Sequence, residues 1–134
     1  MRKKGNWRKQ LKAQERGEYT MMSAEMEMVI MNLIVDAGSA KSYAMEAIRM
    51  AKEGSVSDAE AALENADAEL SKAHHAQTDL IQRAAKGEDI EINLFMVHAQ
   101  DHIITAMLAR DLSCEIVELY RKLDGQHESD IQRR

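Results

Sequence analysis

No proline occurs anywhere in the 134 residues, so glycine and the fading of apolar periodicity are what stop an element here. From Ser23 to Glu53 the apolar residues Met26, Ile30, Leu33, Ile34, Ala37, Ala40, Ala44, Ala47, Ile48 and Ala51 recur at helical spacing. Gly54 follows the last turn, where a left-handed residue closes a helix. Ser57 stands three residues before Glu60, a capping-box pattern that opens a second helical run. That run passes through Ala61, Leu63, Ala66, Leu70, Ala73, Gln77, Leu80 and Ile81, and Gly87 punctuates its end. After the short connection Glu88–Ile92, Asn93 caps a third helix that extends to about Leu123. Short connections between long helices make antiparallel neighbours. The expected architecture is all-α, an antiparallel three-helix bundle over residues 23–124. A basic, disordered extension over residues 1–22 precedes it, and a polar, frayed tail over residues 125–134 follows.

Composition narrows the function classes. Ala, Met, Leu, Glu, Lys and Gln dominate while aromatics are only 4%, which favours helix over strand throughout one domain. The single cysteine, Cys114, leaves no internal disulfide and fits a reducing cytosol. No apolar run reaches the roughly 20 residues that span a bilayer, and the basic start lacks the apolar stretch of a secretory signal. The expected localisation is therefore cytoplasmic. Residues 1–21 carry seven Lys/Arg against Glu15 and Glu18, a net +5, and the remaining chain carries 11 Lys/Arg against 21 Asp/Glu, a net −10. The leader, with Trp7 and no base-stacking pattern, reads as a solvated arm. The acidic body argues against a nucleic-acid partner.

Two features of the first helix ask for more than a bundle core. Five of the ten methionines fall between Met21 and Met31 and make it apolar on more than one side, as in a helix with neighbours on both faces. Self-association is the expectation. Gly38 in the helix interior costs about 1 kcal/mol relative to Ala and suggests close approach of another element.

The third helix carries the chemistry. Stepping 100° per residue, Leu94, His98, Asp101, Thr105, Leu108, Leu112, Ile116, Leu119 and Leu123 fall within an arc of about 80°, with His102 at its edge. An aliphatic packing seam thus runs into a polar patch. A histidine and an aspartate in a seam conflict with plain burial, because an unpaired buried charge is costly. Three readings of His98, Asp101 and His102 stay open on the pattern alone. They form a polar layer that sets helix register, or a metal site, or a nucleophilic histidine oriented by its neighbours. The metal reading lacks a His-Glu-x-x-His arrangement and any evident completion of the shell. Cys114 has no thiolate-activating neighbour and reads as a buried small residue.

The run Val97-His98-Ala99-Gln100-Asp101-His102-Ile103-Ile104-Thr105 closely resembles the active-site helix of the lactose/cellobiose (N,N'-diacetylchitobiose) family of enzyme IIA proteins of the sugar phosphotransferase system. Leu33-Ile34-Val35-Asp36-Ala37-Gly38-Ser39-Ala40-Lys41-Ser42 resembles the family's first helix. Ala73-His74-His75-Ala76-Gln77-Thr78 resembles its second-helix motif, and Glu118-Leu119-Tyr120 its closing turn. The resemblance covers about residues 24–123, with Ile103-Ile104 in place of the more usual Leu-Met and a longer leader. It implies a phosphoryl carrier that accepts phosphate from the histidine phosphocarrier protein on His98. The group then passes to a cysteine of enzyme IIB and on to a sugar crossing through enzyme IIC, the only link to the membrane. It further implies a homotrimer with the third helices around the threefold axis, where Asp101 of each subunit binds a divalent cation, taken as Mg2+. Three carboxylates on one axis repel unless a cation or protons intervene. His74 and Gln77 match family positions near the active site or else bridge helices, His102 supports the phosphoryl group or closes the seam, and His75 is expected to be exposed.

Overall fold

The computed structural model describes residues 22–132 together with Lys12 and Glu15, with side chains as far as Gly125. Apart from Lys12, Glu15 and Met22, the expected disordered extension lies outside the described residues. Among those described there are three long helices and no strand: α1 (Ala24–Lys52), α2 (Val56–Ala85) and α3 (Leu94–Gln132). No helix among them is long and apolar enough to cross a membrane.

Helix ends explain the boundaries. Ser23 caps α1, its hydroxyl accepting from the Met26 N–H at 3.2 Å. At the other end Gly54 adopts φ 85°, which lets Ser55 N–H reach Met50 O at 2.9 Å and Gly54 N–H reach Ala51 O at 3.1 Å. Gly87 repeats this Schellman geometry at φ 90°, with Glu88 N–H on Arg83 O and Gly87 N–H on Ala84 O. The capping box expected at Ser57 does not form. The turn at Gly54 delivers the chain straight into α2, Ser55 takes the cap position without a side-chain hydrogen bond, and Ser57 already lies in the first turn. Asn93 does cap α3, with Oδ1 accepting from Met96 N–H at 2.9 Å. α3 also continues past Leu123 to Gln132, 39 residues in all, since no proline or left-handed glycine stops it there.

Cross-helix pairs show the direction of each neighbour. Gln77 meets Gln100, Asp67 meets Arg110 and Glu60 meets Arg121, so α2 descends as α3 rises. Arg83 near the end of α2 reaches Glu25 near the start of α1 at 3.8 Å, and Asn93 lies on Met22. The unit is an up-down-up bundle.

Its interior is built from small residues. Ala37, Ala40, Ala44, Ala47 and Ala51 of α1 face Ala59, Ala62, Ala66 and Ala73 of α2 and Ala99, Ala106 and Ser113 of α3, all buried. Alanines at alternating steps of three and four let helix backbones come close. Among the described residues, larger side chains enter only at Ile30, Leu33, Leu80, Met96, Ile103 and Val117. Fifteen large apolar side chains among the described residues, by contrast, are exposed. Large exposed apolar patches commonly mark interaction surfaces. Gly38 departs from its expected role, because a Cβ there would meet nothing within 4 Å.

Candidate functional site

α3 places two stripes of equal period on different faces. Met96, Ala99, Ile103, Ala106, Ser113 and Val117 point into the bundle and are buried. The seam singled out by its angular arc, Leu94, His98, Asp101, Thr105, Leu108, Leu112, Leu119 and Leu123, faces outward. Leu94 is 80% exposed, Leu108 59% and Leu119 56%; Ile116 is half-buried. The seam is thus uncovered in one chain.

His98 sits in the second turn of α3, exposed, among exposed Leu94, Phe95, Val97 and Ile104. One turn on, half-buried His102 brings its Nε2 to 3.2 Å from the Nε2 of His98, the rings edge-to-face with centroids 4.5 Å apart. The spacing of four makes this contact available on a helix. No other hydrogen bond or ion pair engages either ring among the described residues. Thr105 turns inward on its own backbone, donating to Asp101 O at 2.8 Å and His102 O at 3.1 Å.

Gln77 is half-buried and donates from Nε2 to Oε1 of Gln100 at 2.7 Å, tying α2 to the turn that carries His98. This is the interhelical bridge that was one of its two expected roles. Gln100 was part of the motif but had no assigned role; its partner across the bundle could be found only from the register of α2 against α3. His74, one turn before Gln77, is exposed and makes no hydrogen bond or ion pair among the described residues. His75 is exposed, as expected, and its Nδ1 donates to Ser71 O at 2.8 Å. Cys114 is half-buried rather than fully buried.

Asp101 is exposed on the outward stripe, and among the described residues no side chain pairs with its carboxylate. Among the described residues no three His, Cys, Asp or Glu side chains cluster tightly enough to hold a metal ion.

The strongest electrostatics lie away from this site. The Arg110 guanidinium is raised by its two-point hydrogen bond with Asp67, at 2.5 and 2.8 Å. Arg83 is likewise raised by Glu88, whose carboxyl is held below its ordinary range by the hydrogen bonds from Arg83. Both pairs bind helix ends and flanks, and neither approaches His98 in the sequence register.

Residues 28–121 match the model of the PTS system lactose/cellobiose-specific IIA subunit. The lichenan-specific phosphotransferase enzyme IIA component of Bacillus subtilis is 49% identical over 110 residues, 82% of this chain and all of that protein. Among solved structures, the cellobiose-specific enzyme IIA of Bacillus anthracis superposes with a TM-score of 0.75 at 41% identity, covering 78% of this chain and 95% of that one. The IIA(chitobiose)–HPr complex from the Escherichia coli N,N'-diacetylchitobiose branch gives 0.66 at 40% identity, covering 76% and 99%.

Proposed function

The chain belongs to the lactose/cellobiose-specific enzyme IIA family of the sugar phosphotransferase system, whose members are phosphotransferase components, and we propose that it carries the phosphoryl group on His98. The observation that supports this most is the exposed His98 imidazole, set among uncovered apolar side chains on α3 within the matched stretch. Neutral imidazole is a competent nucleophile near pH 7 and a good leaving group from phosphorus. A ring nitrogen of His98 gives its electron pair to a new N–P bond as the donor's N–P bond breaks, and the donor nitrogen keeps that pair. In the second transfer a thiolate attacks the same phosphorus and His98 recovers its pair. Little covalent help is needed beyond alignment and a dry contact surface. The chain has no arginine beside His98 in sequence, so positive charge is drawn from the partner.

The donor in this reading is the histidine phosphocarrier protein, by analogy with the relative solved with HPr. The acceptor is a cysteine of enzyme IIB, and the sugar crosses through enzyme IIC. The protein works from the cytoplasm. His102 and Gln77 shape the site, Gln77 through Gln100. His74, exposed and without a hydrogen-bond partner among the described residues, is left as a surface group available to a docked partner.

The outward stripe of α3 closes a homotrimer around a threefold axis in this proposal, which covers Leu108, Leu112, Leu119 and Leu123. Three Asp101 carboxylates then meet, and Mg2+ held between them would neutralise their repulsion. The test is intact mass after incubation with enzyme I, the histidine phosphocarrier protein and phosphoenolpyruvate. A gain of one acid-labile phosphoryl group that His98→Gln abolishes is the expected result. Acceptance surviving in His98→Gln sinks the assignment.

A further inference from the structure

One end of the bundle is both acidic and apolar, and the basic leader joins the chain there. Met22, the residue after the leader, lies against Asn93, whose side-chain amide donates to its sulfur at 3.5 Å. Asn93 caps α3, and His98 follows in the second turn. Residues 22–31 and 79–104 make up this end and carry seven carboxylates against Arg83 and Lys86, a net −5. Arg83 is already engaged by Glu88, Glu25 and Asp79. Exposed Glu27 and Glu91 make no ion pair among the described residues. Beside these charges Ile92 is 74% exposed and Phe95, three residues on, 62%. Neither belongs to the outward leucine stripe that the proposed trimer would use.

The leader is complementary to this surface. Residues 1–21 carry a net +5 and interleave Trp7, Leu11 and Tyr19 with Lys and Arg, all before the stretch matched by the family model. From Trp7 to Met22 the chain takes fifteen steps, at most about 50 Å when extended, against roughly 8–10 Å between packed helices. Because Met22 tethers it, the leader meets this surface at an effective concentration on the order of millimolar, so weak contacts suffice. We propose that residues 1–21 dock on the His98 end of their own bundle, their Lys and Arg side chains on its carboxylates and Trp7 on the apolar surface of Ile92 and Phe95. Opposite charge draws the two together within a Debye length of about 8 Å at physiological salt, and burial of the indole ring holds them. A partner protein that reaches His98 then displaces the leader first. That consequence rests on the carrier reading, whereas the docking does not.

Trp7 is the only tryptophan, so its fluorescence reports on the leader alone. The test is acrylamide quenching of Trp7 in the full, unphosphorylated chain and in a synthetic peptide of residues 1–21. In dilute buffer the chain should shield Trp7 relative to the peptide, and the shielding should be lost at about 1 M salt, where the Debye length falls to about 3 Å. Glu27→Lys combined with Glu91→Lys should lose it as well, and Ile92→Ser should weaken it. The same charge change at the far end of the bundle, Glu53→Lys with Glu64→Lys, should leave it in place; all four glutamates are exposed, and unchanged helical circular dichroism verifies the fold of each variant. Equal quenching of chain and peptide in dilute buffer overturns the inference, as does an equal loss in the two charge-reversed pairs. Shielding that fades as the protein is diluted assigns the contact to the leader of another copy and overturns it too. Since no phosphoryl group is present in these measurements, phosphoryl acceptance that survives His98→Gln would remove the carrier reading and leave the docked leader standing.

Discussion

The two faces of α3 follow the same alternation of three and four residues yet use different side chains. Facing inward, Ala99, Ile103, Ala106, Ser113 and Val117 are small or β-branched and sit against the alanine spines of α1 and α2. Facing outward, Leu108, Leu112, Leu119 and Leu123 are uniformly long and uncovered, and they share their face with His98 and Asp101. The leucines of α3 are therefore kept out of the chain's own core. An alanine-lined interior gains little from burial per residue but brings helices close, while a leucine stripe is suited to knobs-into-holes packing with other copies. The difference teaches that the inner face of the helix serves the single bundle, while its outer face is the one that the proposed trimer would use.

Breaking the inner face should have the largest effect. Ile103 and Leu33 are both fully buried, and truncating either to Ala should cost about 2–5 kcal/mol in urea unfolding, through lost transfer energy and the cavity left behind. Enlarging Ala106 to Leu should cost about 1–3 kcal/mol by overpacking the same seam. Breaking the outer face should do something else. Leu112→Asp should leave the helical circular dichroism of dilute protein intact while lowering the molar mass measured by light scattering at micromolar concentration. If mass is unchanged and folding is lost, the division of labour between the faces is wrong.

Asp101→Leu sharpens the same comparison, since it extends the leucine stripe through the polar patch. Association should be kept or strengthened, and any dependence of melting temperature on added Mg2+ should vanish. A monomeric Asp101→Leu would remove Asp101 from the interface. Gly38→Ala probes neither face. With open space around its missing Cβ, the substitution should stabilise the bundle by up to about 1 kcal/mol in thermal melts; a loss instead would place Gly38 against another copy.

The smallest effect expected is from the Schellman turn at Gly87. Glu88 has its carboxyl depressed by Arg83, so the ion pair stabilises the fold above the unfolded-state pKa of the carboxyl and is lost as pH falls through the lower folded-state value. Glu88→Gln should thus be slightly less stable than wild type at neutral pH, with the gap closing in acid and shrinking in high salt, because the pair is exposed.

Much of the bundle was legible because helix punctuation is local. Gly54, Gly87 and Asn93 act through backbone dihedrals and a side chain that reaches three residues, and all three do what their positions suggest. The errors came where neighbours compete. Ser57 lost its cap because the turn before it ends too soon, and α3 passes Leu123 because polar helix formers continue it. At the site, the His98–His102 spacing was visible in the sequence, whereas the Gln77–Gln100 bond required the antiparallel register of α2 and α3.

The sequence by itself determined that His98, Asp101 and the leucines share one face of a helix, because angular position follows from a period of 3.6 residues. It could not decide whether that face turns toward or away from the other two helices, since both stripes of α3 have helical spacing. Only the tertiary structure decided this, by size: α1 and α2 meet α3 with buried alanines, the smaller stripe packs at that distance, and the leucine stripe with its histidine is left facing out.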